Sequence, residues 1–287
     1  MDKLGVTAII LAKNEDNFLP ACLESISWVD EMVIVGDEPT EEVLNISKQA
    51  EAKIYRRKLD NFCNQRNFAL TKVKTPWVLL IDPDEQMTPE LAGEMQEAVK
   101  NGGFDAYRFP RKNIIFGKWI EHTGWYPDWQ THLFKTAKGK YVGKIHEQVE
   151  INGTVGDLKS VLLHNNYQSV SQYLEKNFKY TSLEAERQLD SGYQFAWRDL
   201  IQKPSSEFLR RFFVEEGYKD GIHGLTLSLL QSFMELLVYI KIWENRGFPA
   251  EETPEVFDQF DKSMKDVDYW VALKTKNPLR KILHKLR

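Results

Sequence analysis

The sequence predicts an α/β protein, a doubly wound, mostly parallel sheet followed by a helical C-terminal extension. Three observations carry that expectation. Four short apolar runs alternate with segments of helical spacing over the first hundred residues, the fourth run ends in a cluster of carboxylates, and from Ser169 onward helical periodicity takes over. The expected division is residues 1–168 as the sheet domain and 169–287 as the helical region.

Val6–Ala12 is an unbroken apolar run rich in β-branched residues, the signature of a strand buried on both faces. Phe18, Leu19, Cys22, Leu23 and Ile26 then recur at helical spacing, with Pro20 tolerable in the first turn. Glu31–Val35 is the second strand, and Thr40 can cap a helix whose apolar face is Val43, Ile46 and Ala50. Lys53–Arg57 is a third, shorter strand; Asn61–Val73 is helical; Trp77–Ile81 is the fourth strand. Thr88-Pro89-Glu90 combines a cap, a first-turn proline and a first-turn acid, which marks a helix start. In sheets of this kind ligands bind beyond the carboxyl ends of the strands.

Residues 104–168 are short-stranded and rich in aromatics and glycine, a composition suited to shaped loops and stacking surfaces. Gly221–Trp243 carries only Glu235 and Lys241 as formal charges, and Glu235 inside it favours a buried or interfacial helix over a membrane span. The tail Lys274–Arg287 has six Lys or Arg and no acid, and Leu279, Ile282, Leu283 and Leu286 fall at i, i+3, i+4 and i+7, so a basic amphipathic helix able to meet an anionic membrane surface is expected.

Composition narrows the function classes. With 287 residues, 42% hydrophobic and 28% charged, the chain can bury a sizeable core, and 38 basic against 42 acidic side chains argue against a nucleic-acid coat protein. Cys22 and Cys63 form no CxxC or Cys/His cluster, so neither a disulfide scaffold nor a structural zinc site is expected. The first strand follows the amino terminus without a long apolar leader, which points to a cytoplasmic protein.

The sharpest chemical signal is Asp82-Pro83-Asp84-Glu85 at the end of the fourth strand. Three carboxylates there repel one another unless a cation sits among them, and hard oxygen ligands suit Mg²⁺ or Mn²⁺ bridging a diphosphate. The other reading is that the acids solvate a strand end and cap the next helix. An EF-hand is excluded because Met87 stands where a glycine is needed. After the first strand comes Ala12-Lys13-Asn14-Glu15, and neither GxGxxG nor GxxxxGK[ST] occurs there, so a nucleotide site must be built from side chains and metal.

The runs VTAIILAKNEDNFLPACLESISWVDEMVIV, FCNQRNFALTKVKTPWVLLIDPDEQMTPEL, PRKNIIFGKWIEHTGWYPDWQTHLF and GKIHEQVEINGTVGDLKSVLLHNNYQS together resemble family 2 glycosyltransferases, in particular the lipopolysaccharide-core glucosyltransferase type, over about residues 4–245. The resemblance implies a GT-A fold, a nucleotide-sugar donor such as a UDP-hexose, a divalent metal at the DxD, inversion at the anomeric carbon, and a glycan or lipid-linked acceptor worked on at the inner face of the cytoplasmic membrane. Donor-side candidates are Lys13, Asn14, Glu15, Asp37, Arg66, Asn67 and Asp82; metal candidates are Asp82, Asp84 and His146, with His164 a further contact. One departure matters. The family's aspartate after the second strand aligns with Gly36 here, and the acid is displaced to Asp37.

An inverting transfer needs a carboxylate to take the acceptor's proton. Asp128 in Trp125-Tyr126-Pro127-Asp128-Trp129-Gln130 is the first candidate and Glu147 the second; Trp125, Tyr126, Trp129 and Gln130 are the acceptor-side candidates, with at least one of the aromatics expected in the core. The competing reading is a non-catalytic membrane-surface protein that keeps the fold after Gly36 has altered the donor site.

Overall fold

In β1 (Val6–Leu11) the side chains divide by parity, Ala8 and Ile10 joining one apolar cluster and Ile9 another on the opposite face. The computed structural model describes residues 3–13, 17–143 and 148–275, and the chain divides into two units, Met1–Ile114 with Pro127–Asn166, and Ile115–Tyr126 with Tyr167–Arg287. In the first unit β1 pairs in parallel with β2 (Glu31–Gly36) and β4 (Trp77–Leu80), and β3 (Lys53–Arg56) pairs with β2. Helices α1 (Leu19–Ser25), α2 (Glu41–Gln49) and α4 (Pro89–Asn101) cover one face through Leu19, Cys22, Val43, Leu91 and Met95. The other face is covered by α3 (Phe62–Leu70) and by the β9 (Gly139–Val142) and β10 (Gln148–Ile151) hairpin, whose Tyr141 packs on Phe134.

The expected caps form. Thr40 Oγ1 accepts from Val43 N at 3.2 Å, and Thr88 Oγ1 accepts from Leu91 N at 3.2 Å ahead of Pro89. After β4 the chain makes a turn and enters a short strand, β5 (Glu85–Met87). The sheet then runs β3-β2-β1-β4-β8-β6-β12-β5, where β6 is Ala106–Ile115, β8 Asp128–Lys135 and β12 Leu162–Tyr167; β11 (Val155–Asp157) lies beside β6. The parallel arrangement holds from β3 to β4. β8 is antiparallel to both β4 and β6, and β12 to β5.

The second unit contains α5 (Val170–Asp190), α6 (Asp199–Leu209), α7 (Ile222–Asn245) and α8 (Val256–Lys274), together with the segment 115–126 and its short strand β7 (Lys118–Trp119). That segment folds with the helices because Ile115 and Ile120 pack beside Tyr173, Leu227 and Met234, and because buried Asp220 accepts from His122 N at 2.9 Å. A π-helical turn at Arg210–Val214, closed by Glu215 N to Arg210 O at 2.8 Å, follows α6. Among the described residues α7 is the one helix long and apolar enough to cross a membrane; Leu227, Met234, Val238 and Ile242 are buried, and the helix packs against α5 and α6. Residues 276–287 of the expected basic tail lie outside the described residues.

Candidate active site

The register of β6 and β8 sets Arg111 opposite Asp128 and Phe109 opposite Gln130. Strand alternation then places Arg111 and Asn113 of β6 on the same face as Asp128, Gln130 and His132 of β8. β12 adds His164 and Asn166, and β5 adds Glu85, which its register sets opposite His164. Asp82 and Asp84 occupy the turn between β4 and β5, at the carboxyl end of the parallel half.

Arg111 ties this face together. Its Nη1 donates to Glu85 Oε1 at 2.8 Å, its Nε to Asp128 Oδ2 at 2.8 Å, and its Nη2 lies 2.7 Å from the same Oδ2. Asn113 Nδ2 also donates to Asp128 Oδ2, at 3.1 Å, while Gln130 Nε2 donates to Oδ1 at 2.6 Å. Glu85 Oε2 accepts from Asp82 N at 2.9 Å, and Arg66 Nη2 lies 3.3 Å from Asp82 Oδ1. Part of the positive charge that the acid cluster demands therefore comes from two guanidinium groups.

The remaining demand falls between Asp84 and His164. Asn113 donates through Nδ2, so its Oδ1 is an acceptor; it takes Asn166 Nδ2 at 3.1 Å and must also take a proton from His164 Nδ1 at 2.7 Å. Nε2 of the same ring lies 3.4 Å from Asp84 Oδ2. An imidazole nitrogen and a carboxylate oxygen at that separation are a donor set that a divalent cation can share. No group of three or more His, Cys, Asp or Glu forms a metal cage among the described residues, and Mg²⁺ or Mn²⁺ fits such an open site when phosphate oxygens complete its shell.

Burial and charge set the protonation states. Glu85, completely enclosed, is pushed up to about 7 by burial and by the neighbouring Asp82. Burial alone would raise Asp82 as well, but the Arg66 guanidinium, with that of Arg111, outweighs it and holds the carboxyl below the ordinary range. His132 is pushed down to about 3 by burial and is neutral. Asp128 is partly buried, yet Arg111, Asn113 and Gln130 keep its carboxyl below the usual value, so it is ionised at neutral pH.

The donor-side candidates separate. Asp37 pairs with Lys13, Nζ to Oδ2 3.5 Å, and helps to line a hollow of about 420 Å³ with Glu38, Pro39, Arg56, Arg57 and Lys58 beyond the carboxyl ends of β2 and β3. A larger hollow of about 530 Å³ lies beside the amino end of β2, lined by Leu23, Met32 and Ile46 among others, and holds none of the polar-face residues. Gly36 has a steric cause: a Cβ there would stand 2.6 Å from the Ala12 carbonyl oxygen. No side chain fits at that position, so the acid moves to the next residue.

Asn67 is reassigned. Its amide donates to Tyr141 O and accepts from Tyr141 N, both at 2.9 Å, so it fastens α3 to β9 and has no free end for a donor. Trp129 is exposed on β8 with the Arg108 guanidinium 5.1 Å from its ring centre. Trp125 packs edge-on against Tyr167 and joins the core of the second unit, as expected for at least one of the aromatics; Tyr126 meets Trp119 edge-on in the same unit. Asn14, Glu15, His146 and Glu147 lie outside the described residues. Arg111, Asn113, His132 and Asn166 had no place in the sequence reading. No alternation singles them out in the sequence, because Lys112 stands between Arg111 and Asn113 and Thr131 between Gln130 and His132.

Residues 7–152, just over half the chain, match the profile of the family described as "Glycosyl transferase family 2". The chain is 26% identical over 271 residues to the lipopolysaccharide core biosynthesis glycosyltransferase LpsC of Rhizobium meliloti (strain 1021), covering 89% of this chain and 97% of that protein. It is 23% identical to the uncharacterized glycosyltransferase RT0209 of Rickettsia typhi, covering 83% and 87% of the two chains. Among solved structures, S. aureus TarS 1–349 is similar at a TM-score of 0.43 and 15% identity, covering 97% of this chain and 86% of that one. Glucosyl-3-phosphoglycerate synthase of Mycobacterium tuberculosis, solved with Mn²⁺, UDP and glucosyl-3-phosphoglycerate, is similar at a TM-score of 0.45 and 11% identity, covering 67% and 81%.

Proposed function

The chain belongs to glycosyl transferase family 2, and from that premise we propose that it is an inverting, metal-dependent hexosyltransferase acting on a cell-envelope glycan or glycolipid. The donor is a nucleoside diphosphate sugar, with UDP-hexose the first to test. The enzyme works in the cytoplasm, at the inner face of the cytoplasmic membrane. One observation carries the reading: the Asp82–Asp84 turn and Asp128 share one polar face, linked by Arg111 and by the chain Asp84, His164, Asn113, Asp128. The similarity to the Rhizobium lipopolysaccharide core biosynthesis glycosyltransferase supports the acceptor class.

Asp128 is the base. Its Oδ2 is occupied by three N–H donors from Arg111 and Asn113, whereas Oδ1 receives only Gln130, so Oδ1 is the oxygen left to accept the acceptor hydroxyl's proton. Fixing one oxygen and leaving the other is an orienting device, since the proton acceptor must face the attacking hydroxyl. Asp82, Asp84 and His164 would hold Mg²⁺ or Mn²⁺, which when bound supplies positive charge for the leaving diphosphate. Arg66, held beside Asp82, adds a guanidinium on that side. Asp37 and Lys13, at the hollow beyond β2 and β3, take the nucleoside. Gln130, on the same face as Asp128, is the acceptor-side contact on β8; Trp129 points to the opposite face beside Arg108, and Trp125 and Tyr126 pack within the second unit.

A thermal-shift screen of nucleoside diphosphates with and without Mn²⁺ tests donor binding, and mass spectrometry of glycolipids from cells lacking the protein tests the acceptor. A rise in Tm for one nucleotide with Mn²⁺, and a truncated glycolipid, are expected. No nucleotide-dependent rise would favour the non-catalytic reading, in which the change at Gly36 has cost the donor site.

A further inference from the structure

We propose that the second unit carries a membrane-docking face built where the π-helical turn, the start of α7 and the end of α8 meet, and that its partner is the surface of a bilayer containing anionic lipid. The inference deepens the envelope-acceptor reading above and rests on it for the choice of cellular surface. At this junction Ile222 is 70% exposed, Val214 54% and Leu273 49%, with Tyr218 and Tyr269 also open to solvent. Ring contacts join the elements that carry these residues: Phe212 meets Tyr218 with centroids 6.2 Å apart, Phe213 stacks on Trp270 at 6.0 Å, and Tyr269 meets Trp270 at 5.6 Å. Along α7 the same outward line continues through exposed Leu229 and Phe233, seven and eleven residues after Ile222 and so on one side of the helix. A contiguous apolar surface rimmed by polar groups marks an interaction site, and tyrosine and tryptophan mixed with aliphatics suit the boundary between headgroups and acyl chains.

Charge selects the partner. Lys219 and Lys274 share the single carboxylate of Glu216, which offsets only part of their charge, and Lys274 also lies 5.2 Å from the Tyr218 ring centre. The chain leaves α8 at this face and continues into residues 276–287, which contain five Lys or Arg and no acid. An apolar aromatic surface whose chain runs on into a sequence rich in Lys and Arg matches an anionic bilayer, where each cation adds attraction and the apolar groups add burial. A second copy seated on the same face would bring two such cationic segments together and is disfavoured by their repulsion.

The test uses the full chain and co-sedimentation with phosphatidylcholine vesicles made with and without phosphatidylglycerol. These vesicles carry no glycan, so the readout is independent of transfer: loss of donor binding with vesicle binding intact would overturn the functional reading alone. Two double variants, Ile222→Glu with Leu273→Glu and Ile222→Ser with Leu273→Ser, change exposed positions, and circular dichroism checks their fold. The wild type is expected to bind the anionic vesicles, with partitioning reduced about tenfold or more in both variants. Unchanged partitioning in the folded variants would overturn the proposal. So would a wild-type dimer in sedimentation equilibrium that the variants dissociate, since that would assign the face to a second copy.

Discussion

In β1, β2 and β4 the inward and outward side chains are almost all apolar and buried, whereas β6, β8 and β12 of the same sheet carry Arg111, Asn113, Asp128, His132, His164 and Asn166 along one face. Helices or a hairpin close both faces of the parallel half, and a lone charge there would be costly to bury. On the antiparallel half Arg111 and Asn113 tie most of the polar groups together, His132 Nδ1 alone of the six residues being buried without a hydrogen bond, so a dense network survives beside the core. The comparison teaches that the fold separates its tasks: one half supplies stability, and the other holds charged groups in fixed positions.

The separation should fail most visibly at the polar end. Asp84→Ala is expected to abolish sugar transfer, followed as nucleotide release, while urea unfolding changes by no more than about 0.5 kcal/mol, because Asp84 sits in a turn with its side chain partly open to solvent. Full activity in that variant would remove the metal role. Asp128→Asn should lower turnover by about 10²–10⁴-fold with nucleotide affinity unchanged, since shape is kept and only the proton acceptor is lost. Weakened nucleotide binding with normal turnover of bound donor would instead make Asp128 a donor contact.

In the apolar half the effect should reverse. Ile9→Ala empties a fully buried site between β2 and β4 and should cost about 2–5 kcal/mol by urea unfolding, with the turnover of the folded fraction intact. A variant that lost turnover while keeping its stability would break the comparison. The smallest effect concerns pH. Glu85 normally titrates near 4.5 but near 7 in the fold, so the native state holds a proton that the unfolded chain releases between those values. Its contribution is complete below pH 4.5 and declines as pH rises toward 7. Glu85→Gln should flatten that decline by on the order of 1–3 kcal/mol when unfolding is compared at the two ends of the window.

Much of this was legible in the residues themselves. VTAIILA and WVLLI announce buried strands because neither face offers a polar position, and Thr40 and Thr88 announce helix starts because a hydroxyl can satisfy an otherwise orphaned amide. The acid cluster after β4 was equally plain. Glu85 was harder to read: adjacent acids look alike in a sequence, but pairing with β12 turns Glu85 inward while Asp84 stays partly open. Arg111 lay 26 residues from Glu85 and 17 from Asp128, separations at which no local periodicity links a cation to its partners.

By itself, then, the chain determined which segments become strands and helices, where carboxylates gather at a strand end, and which family it resembles, since local propensity, capping and apolar period are encoded over a few residues at a time. Only the tertiary structure decided that Asn67 fastens β9, that Gly36 is demanded by the Ala12 carbonyl, and that Asp128 has one oxygen occupied and one available. Those outcomes depend on which distant backbone or side chain arrives at a given atom, and strand register, a property of the assembled sheet, decides that.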